Sequence, residues 1–272
     1  MTQFKPSVAL IGAGAMGGAM VRGWLEAGSV DISGSAVFDP APPREMADLC
    51  NAHGLALNPE AGAVSPDVLV CAVKPQAAAK ALPPYAPLAR DAVVVSVMAG
   101  KSVAAISAML GGAARIVRAM PNLPAAIGRG VTGLYASEAV SAPERDMVER
   151  LMRAVGEAVW VDAENAIDAV TAVSGSGPAY FFLLTEALSQ AGEALGLSQE
   201  AAAKLARATC AGAGALLDAD GRAPAEMRRA VTSPGGTTEA ALGVLDGEDE
   251  AIRKLMKEAA AAAARRAGAL TD

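Results

Sequence analysis

The sequence predicts an α/β domain built on a doubly wound, mainly parallel sheet, followed by an all-α domain. Three observations predict it. Short apolar, β-branched runs alternate with stretches of helical spacing through the first 162 of 272 residues; without in-out alternation, such runs belong to strands covered on both faces. A glycine-rich turn follows the first run directly. Beyond residue 162 no strand-like run recurs, only helical patterns separated by glycine, proline and serine. The domains expected from this change are 1–162 and 163–272.

Taken in order, Ser7–Ile11 is the first strand and Ala15–Ala27 the helix after it. Ala36–Asp39, Val68–Val73 and Val93–Met98 are strands of the same kind, each followed by helical spacing. Ile116–Met120 and Val131–Tyr135 are further strands, and a helix from about Pro143 to Val155 and a strand at Ala158–Val161 complete the domain. In the second domain Pro178 opens a helix whose Phe181, Leu184, Leu188, Ala191 and Leu195 form an apolar seam at spacings of three and four. The next helix, Gln199–Ala219, carries Ala208, Ala211, Gly212 and Ala215, small residues that admit a neighbouring backbone. A helical domain of this size, so poor in large side chains, cannot readily fill its own core, and it is expected to pack against a second copy of the chain.

Composition narrows the function. At 53% hydrophobic and 19% charged, the chain has apolar surface to bury and is not disordered. A net charge of −6 and 3% aromatics argue against nucleic acid, which requires a basic face or stacking platforms. The longest unbroken apolar runs, such as Ala259–Ala264, are too short to cross a bilayer, and Met1–Ser7 has no secretory pattern. Cys50, Cys71 and Cys210 are scattered, with neither a disulfide framework nor a zinc pattern, and His53 is the lone histidine. A cytoplasmic protein with a small-molecule partner and no metal is expected.

Gly12-Ala13-Gly14-Ala15-Met16-Gly17 sits between the first strand and its helix. In a Rossmann-type dinucleotide site the first glycine makes the tight turn, the second admits the pyrophosphate and the third lets helix and strand pack. The N–H groups of the helix start, around Ala15 and Met16, then face the phosphates. Asp39, at the end of the second strand, is either a ribose-binding carboxylate or a turn residue before Pro40. In the first case it repels a 2′-phosphate and favours NADH over NADPH, with Arg44 close enough to bear on the choice. Val73-Lys74-Pro75 and Met98-Ala99-Gly100 follow two further strands, at the edge where such sheets bind ligands, and are expected to line the nicotinamide half. Lys74 is either a ribose or phosphate contact or an ordinary surface lysine.

Two segments of the second domain, Ser174-Gly175-Ser176-Gly177-Pro178 and Ser233-Pro234-Gly235-Gly236-Thr237-Thr238, set hydroxyls and glycines immediately before a helix. In the latter, successive glycine N–H groups make a nest suited to a carboxylate, the alternative being plain helix capping. No lysine lies between Lys101 and Lys204 to act as a proton donor. A carbonyl substrate usually needs such an acid, whereas a cyclic imine can bind already protonated. The pattern therefore points to an imino acid, with a 3-hydroxy acid dehydrogenase or a catalytically idle nucleotide-sensing protein as rival readings.

Ala72-Val73-Lys74-Pro75, Arg118-Ala119-Met120-Pro121-Asn122, Ser174-Gly175-Ser176-Gly177-Pro178-Ala179-Tyr180 and Ser233-Pro234-Gly235-Gly236-Thr237-Thr238, in this order and spacing, closely resemble pyrroline-5-carboxylate reductase over nearly the whole chain. The resemblance implies reduction of 1-pyrroline-5-carboxylate to L-proline by NAD(P)H, the final step of proline biosynthesis. It also implies an interlocked homodimer, often assembled into larger rings. By match to the family's motif, Ser233, Gly236, Thr237 and Thr238 hold the substrate carboxylate, with the Thr238 hydroxyl also facing the ring nitrogen. Pro121 and Asn122 lie near the nicotinamide. Many members prefer NADPH and have no acid at the position of Asp39, and many have threonine where this chain has Leu123.

Overall fold

The computed structural model describes residues 4–270. The chain begins with β1 (Val8–Ile11), α1 (Ala15–Ala27), β2 (Ala36–Phe38), α2 (Arg44–His53) and β3 (Ala56–Leu57). It continues through β4 (Val68–Cys71), α3 (Ala78–Ala81), β5 (Val93–Ser96), α4 (Val103–Met109) and β6 (Ile116–Met120), with short 3-10 turns between. Then come β7 (Gly130–Ala136), α5 (Ala142–Arg153), β8 (Gly156–Trp160) and α6 (Ala166–Val170). The remaining helices are α7 (Gly177–Ala194), α8 (Gln199–Ala219), α9 (Pro224–Ala230), α10 (Thr237–Asp246) and α11 (Ala251–Gly268).

The strands form one sheet in the order β3-β2-β1-β4-β5-β6-β7-β8. Neighbours run parallel except β6 and β7, which are antiparallel. Strand order reverses between β1 and β4, whose carboxyl ends carry Gly12 and Ala72, and this is where open α/β sheets bind ligands. Alternate residues of β4 serve opposite faces. Val68 and Val70 join Met20, Val21 and Trp24 of α1, Met46 of α2 and Val148 of α5. Leu69 and Cys71 join Ala78 of α3 and Ile106 of α4. The strand β3 has no counterpart in the sequence reading. Its two residues are exposed and half-buried, so no apolar run announces them.

The described residues fall into two compact units, one running to Ser176 and resuming at Ala263, the other Gly177–Ala262. The end of α11 thus belongs with the sheet. There the Leu270 carbonyl oxygen lies 2.7 Å from where a Cβ on Gly100 would be, a position whose φ of +67° also favours glycine. Ser174–Gly175, expected to precede a helix, lie inside one: α6 runs into a π turn, Thr171–Gly175, and on into α7. A Cβ on Gly175 would stand 2.8 Å from Met120 Cε, the flexible tip of that side chain. The resulting helix, Ala166–Ala194, is long and apolar enough to cross a bilayer by length and composition alone, which scanning for unbroken apolar runs had not suggested.

In the second unit α7 and α8 pack closely where Gly192 meets Ala202. Among its described residues the buried apolar side chains are Ala202, Ala206 and Met227. The seam residues Phe181, Leu184, Leu188 and Leu195 are exposed, and so are Phe182 and Leu183 beside them.

Candidate functional site

The glycine-rich turn divides its work as the spacing predicts. Gly12 has φ +96°, its N–H donates to the Phe38 carbonyl at 2.8 Å, and a Cβ there would lie 2.8 Å from the Ala72 carbonyl oxygen. A Cβ on Gly17 would collide with the Gly12 carbonyl, so only glycine lets α1 pack this close to β1. Gly14 differs. Apart from its chain neighbours, no described residue comes within 4 Å of where its Cβ would be, and Gly14, Ala15 and the half-buried Met16 border solvent at the start of α1. Open space over an unobstructed helix N-terminus fits a dinucleotide pyrophosphate.

Asp39 is tied to this turn. One carboxylate oxygen accepts from the Ala13 N–H at 2.7 Å, the other from the Ala41 N–H at 2.8 Å. Half-buried beside the turn, the carboxylate braces its backbone and keeps acceptor sites on both oxygens for a further donor. Arg44 is 95% exposed and reaches only Asp48 at 3.8 Å, a contact of little energetic weight. Tyr85 packs on Phe38 with ring centroids 4.9 Å apart, and burial and the Asp39 charge together push its phenol above the usual range.

Around the remaining strand ends, Val73 and Pro75 are half-buried and Lys74 is exposed, its carbonyl accepting from Ala77 N–H in a 3-10 turn. Ala99 is exposed. Pro121 and Asn122 are buried. The Asn122 amide donates to the Ser174 carbonyl at 3.1 Å and accepts from the Val131 N–H at 2.9 Å, so its polar atoms bind two neighbouring segments to the loop.

Arg118 opens the motif that ends at Asn122. It is 4% exposed and pairs with Glu164 at 3.0 Å, and the same carboxylate oxygen accepts from the Val103 N–H at 2.7 Å. Glu164 thereby holds the first turn of α4, just after the Ala99–Gly100 loop, to β6, just before Pro121. The signal was present: an arginine within the apolar run Ile116–Met120 needs a carboxylate partner. Which carboxylate is a tertiary matter. Cys71 is fully buried and its thiol is pushed up to about 12 by desolvation, so it is no nucleophile at neutral pH.

In the second unit Gly236 N–H donates to the Ser233 carbonyl at 3.0 Å and Gly235 has φ +69°, which makes the tight turn entering α10. The N-cap of α10 is Gly236, which has no side chain to cap it. Thr237 is exposed and Thr238 half-buried. The Gly235 N–H is not free for a ligand. It donates to Glu239 at 2.7 Å, a brace that the sequence reading missed although a glutamate in the first turn of a helix is a known local cap.

Residues 164–270 match the family described as pyrroline-5-carboxylate reductase dimerisation, and residues 7–100 match that described as NADP oxidoreductase, coenzyme F420-dependent. A pyrroline-5-carboxylate reductase of Pseudomonas aeruginosa is 42% identical over 271 residues, 98% of this chain and 97% of that protein. This chain belongs to the pyrroline-5-carboxylate reductase family. The solved reductase of Coxiella burnetii has a TM-score of 0.90 and 36% identity, covering 99% of this chain and 100% of its own. The Plasmodium falciparum pyrroline carboxylate reductase, solved with NADP bound, has a TM-score of 0.80 and 25% identity, covering 98% of each chain. The region matched to the dimerisation family contains the whole of Ala166–Ala194.

Proposed function

We propose that this chain reduces 1-pyrroline-5-carboxylate to L-proline with a reduced nicotinamide cofactor, the final step of proline biosynthesis. One observation carries the reading: the likeness to the Pseudomonas aeruginosa reductase runs through 98% of the chain, and so includes both the Gly12–Gly17 turn and the Ser233–Thr238 loop. A bound nicotinamide supplies the hydride. The turn and the start of α1 hold the pyrophosphate, Gly14 by leaving room for it. Asp39 takes the adenosine ribose hydroxyls and disfavours a 2′-phosphate, which makes NADH the preferred donor. Val73, Lys74, Pro75, Ala99, Gly100 and Pro121 line the rest of the cofactor site, with Asn122 keeping its loop in place.

Ser233, Gly236, Thr237 and Thr238 hold the substrate carboxylate on the uncapped N–H groups of α10, and the Thr238 hydroxyl orients the ring nitrogen. Gly235 contributes the turn, since its N–H serves Glu239. An iminium substrate arrives with its proton in place, so the chain's residues have to orient it and exclude water more than donate. The dinucleotide-binding domain is residues 1–162 and the dimerisation and substrate domain 163–272. The exposed apolar seam of α7 is covered by a second copy, with larger rings built from such dimers. Three free thiols fit a reducing, cytoplasmic setting. The test follows NADH and NADPH oxidation with pyrroline-5-carboxylate as the varied substrate and proline as the product measured. Proline formation with a saturating rate is expected; cofactor binding without turnover would overturn the reading.

A further inference from the structure

The backbone of Asp39 is held as firmly as its carboxylate, and by one side chain. Asn58 Oδ1 accepts from the Asp39 N–H at 2.8 Å, and Asn58 Nδ2 donates to the Asp39 carbonyl at 2.8 Å. These bonds close a two-point clamp that no other residue type of the same length reproduces: aspartate has no donor and leucine has neither group. Asn58 is exposed, and it pays for the position with a φ of +52°, where few residues other than glycine and asparagine are at ease. Its own N–H donates to the Val37 carbonyl at 2.8 Å, which seats it beyond the end of β3 and alongside β2. The packing of the core does not require this arrangement, because the clamp touches polar main chain at the sheet edge.

We propose that Asn58 is a positioning residue for cofactor choice: by clamping residue 39 it keeps the Asp39 carboxylate against Ala13, turned toward the ribose and closed to a 2′-phosphate. The inference rests on the reading of Asp39 as the ribose-binding group. A freely hinged Asp39 could swing away from a phosphorylated ribose and lose most of its discrimination. Held by Asn58 on the main chain and by the Ala13 and Ala41 N–H groups on the carboxylate, it cannot.

The clean variant is Asn58→Gly, because glycine adopts the positive φ without strain and keeps the N–H to Val37 while deleting the clamp. NADH and NADPH are titrated separately by calorimetry into wild type, Asn58→Gly, Asp39→Ser and the double variant, with no substrate present. Asn58→Gly is expected to weaken NADH roughly three- to tenfold, with NADPH changed less than about twofold, so that the preference narrows. If Asn58 acts only through Asp39, the double variant has the same NADH to NADPH ratio as Asp39→Ser alone. Equal weakening of both cofactors, no weakening of either, or multiplying effects in the double variant would overturn the proposal. So would an Asn58→Gly chain that fails to fold, since a clamp confined to the sheet edge does not carry the fold. If Asp39→Ser leaves the ratio unchanged, the ribose reading of Asp39 fails as well. A changed ratio there with an inert Asn58→Gly removes this inference alone.

Discussion

In the first unit Leu10, Leu69 and Val94 are at most 1% exposed, covered by helices on either face of the sheet; in the second Phe181, Phe182 and Leu183 are 60 to 66% exposed. Both units are rich in apolar residues, so hydrophobicity does not separate them. Arrangement does. A parallel sheet presents two apolar faces and its crossover helices cover both within one chain. The helical unit buries Ala202 and Ala206 where backbones approach and leaves its large side chains outward. A contiguous apolar seam left outward is the kind of surface that a protein partner covers.

Phe181→Glu places a charge on the outward seam and is expected to abolish the dimer, with loss of hydrogen-exchange protection across 177–262. Sedimentation and exchange check it, and a monomer that keeps its helices protected would break the contrast between the units. Leu10→Ala is its counterpart in the sheet. It should lower unfolding stability by about 2–5 kcal/mol in denaturant titration while leaving the oligomeric state unchanged.

Glu164→Ala leaves the buried Arg118 guanidinium and the Val103 N–H without their shared acceptor. Because the Glu164 side chain is 33% exposed and solvent partly screens it, a loss of ~1–3 kcal/mol is expected rather than the larger value of a fully buried pair. Thermal and denaturant melts measure it.

Thr238→Ala is expected to slow kcat roughly tenfold to a hundredfold, from about 1–3 kcal/mol of lost orientation in the transition state, with NAD(P)H affinity kept. Thr238→Ser should recover much of that loss, and Thr237→Ala should do less because alanine retains the N–H. Steady-state kinetics on the three variants would show a wild-type rate for Thr238→Ala if the hydroxyl has no part in orientation. The smallest effect belongs to Arg44→Ala, expected to change stability by less than ~0.5 kcal/mol, since its contact with Asp48 is solvent-exposed.

The local features were legible because their causes are local. The spacing Gly12-x-Gly14-x-x-Gly17, the span Ala15–Ala27 and the helix Gln199–Ala219 follow from turn geometry and apolar period, which neighbours in sequence decide. The exposed seam of α7 was legible too, as a domain with too few large residues to fill a core. Other features were decided only when distant segments met. A two-residue edge strand such as β3 carries too little pattern to see. The π turn at Thr171–Gly175 interrupts a pattern that reads as helix on both sides, so local spacing does not mark it. The partners of Arg118, Asp39 and Asn122 lie 46, 26 and 52 residues away, and a hydrogen bond's partner is chosen by where the chain returns, which no local pattern records.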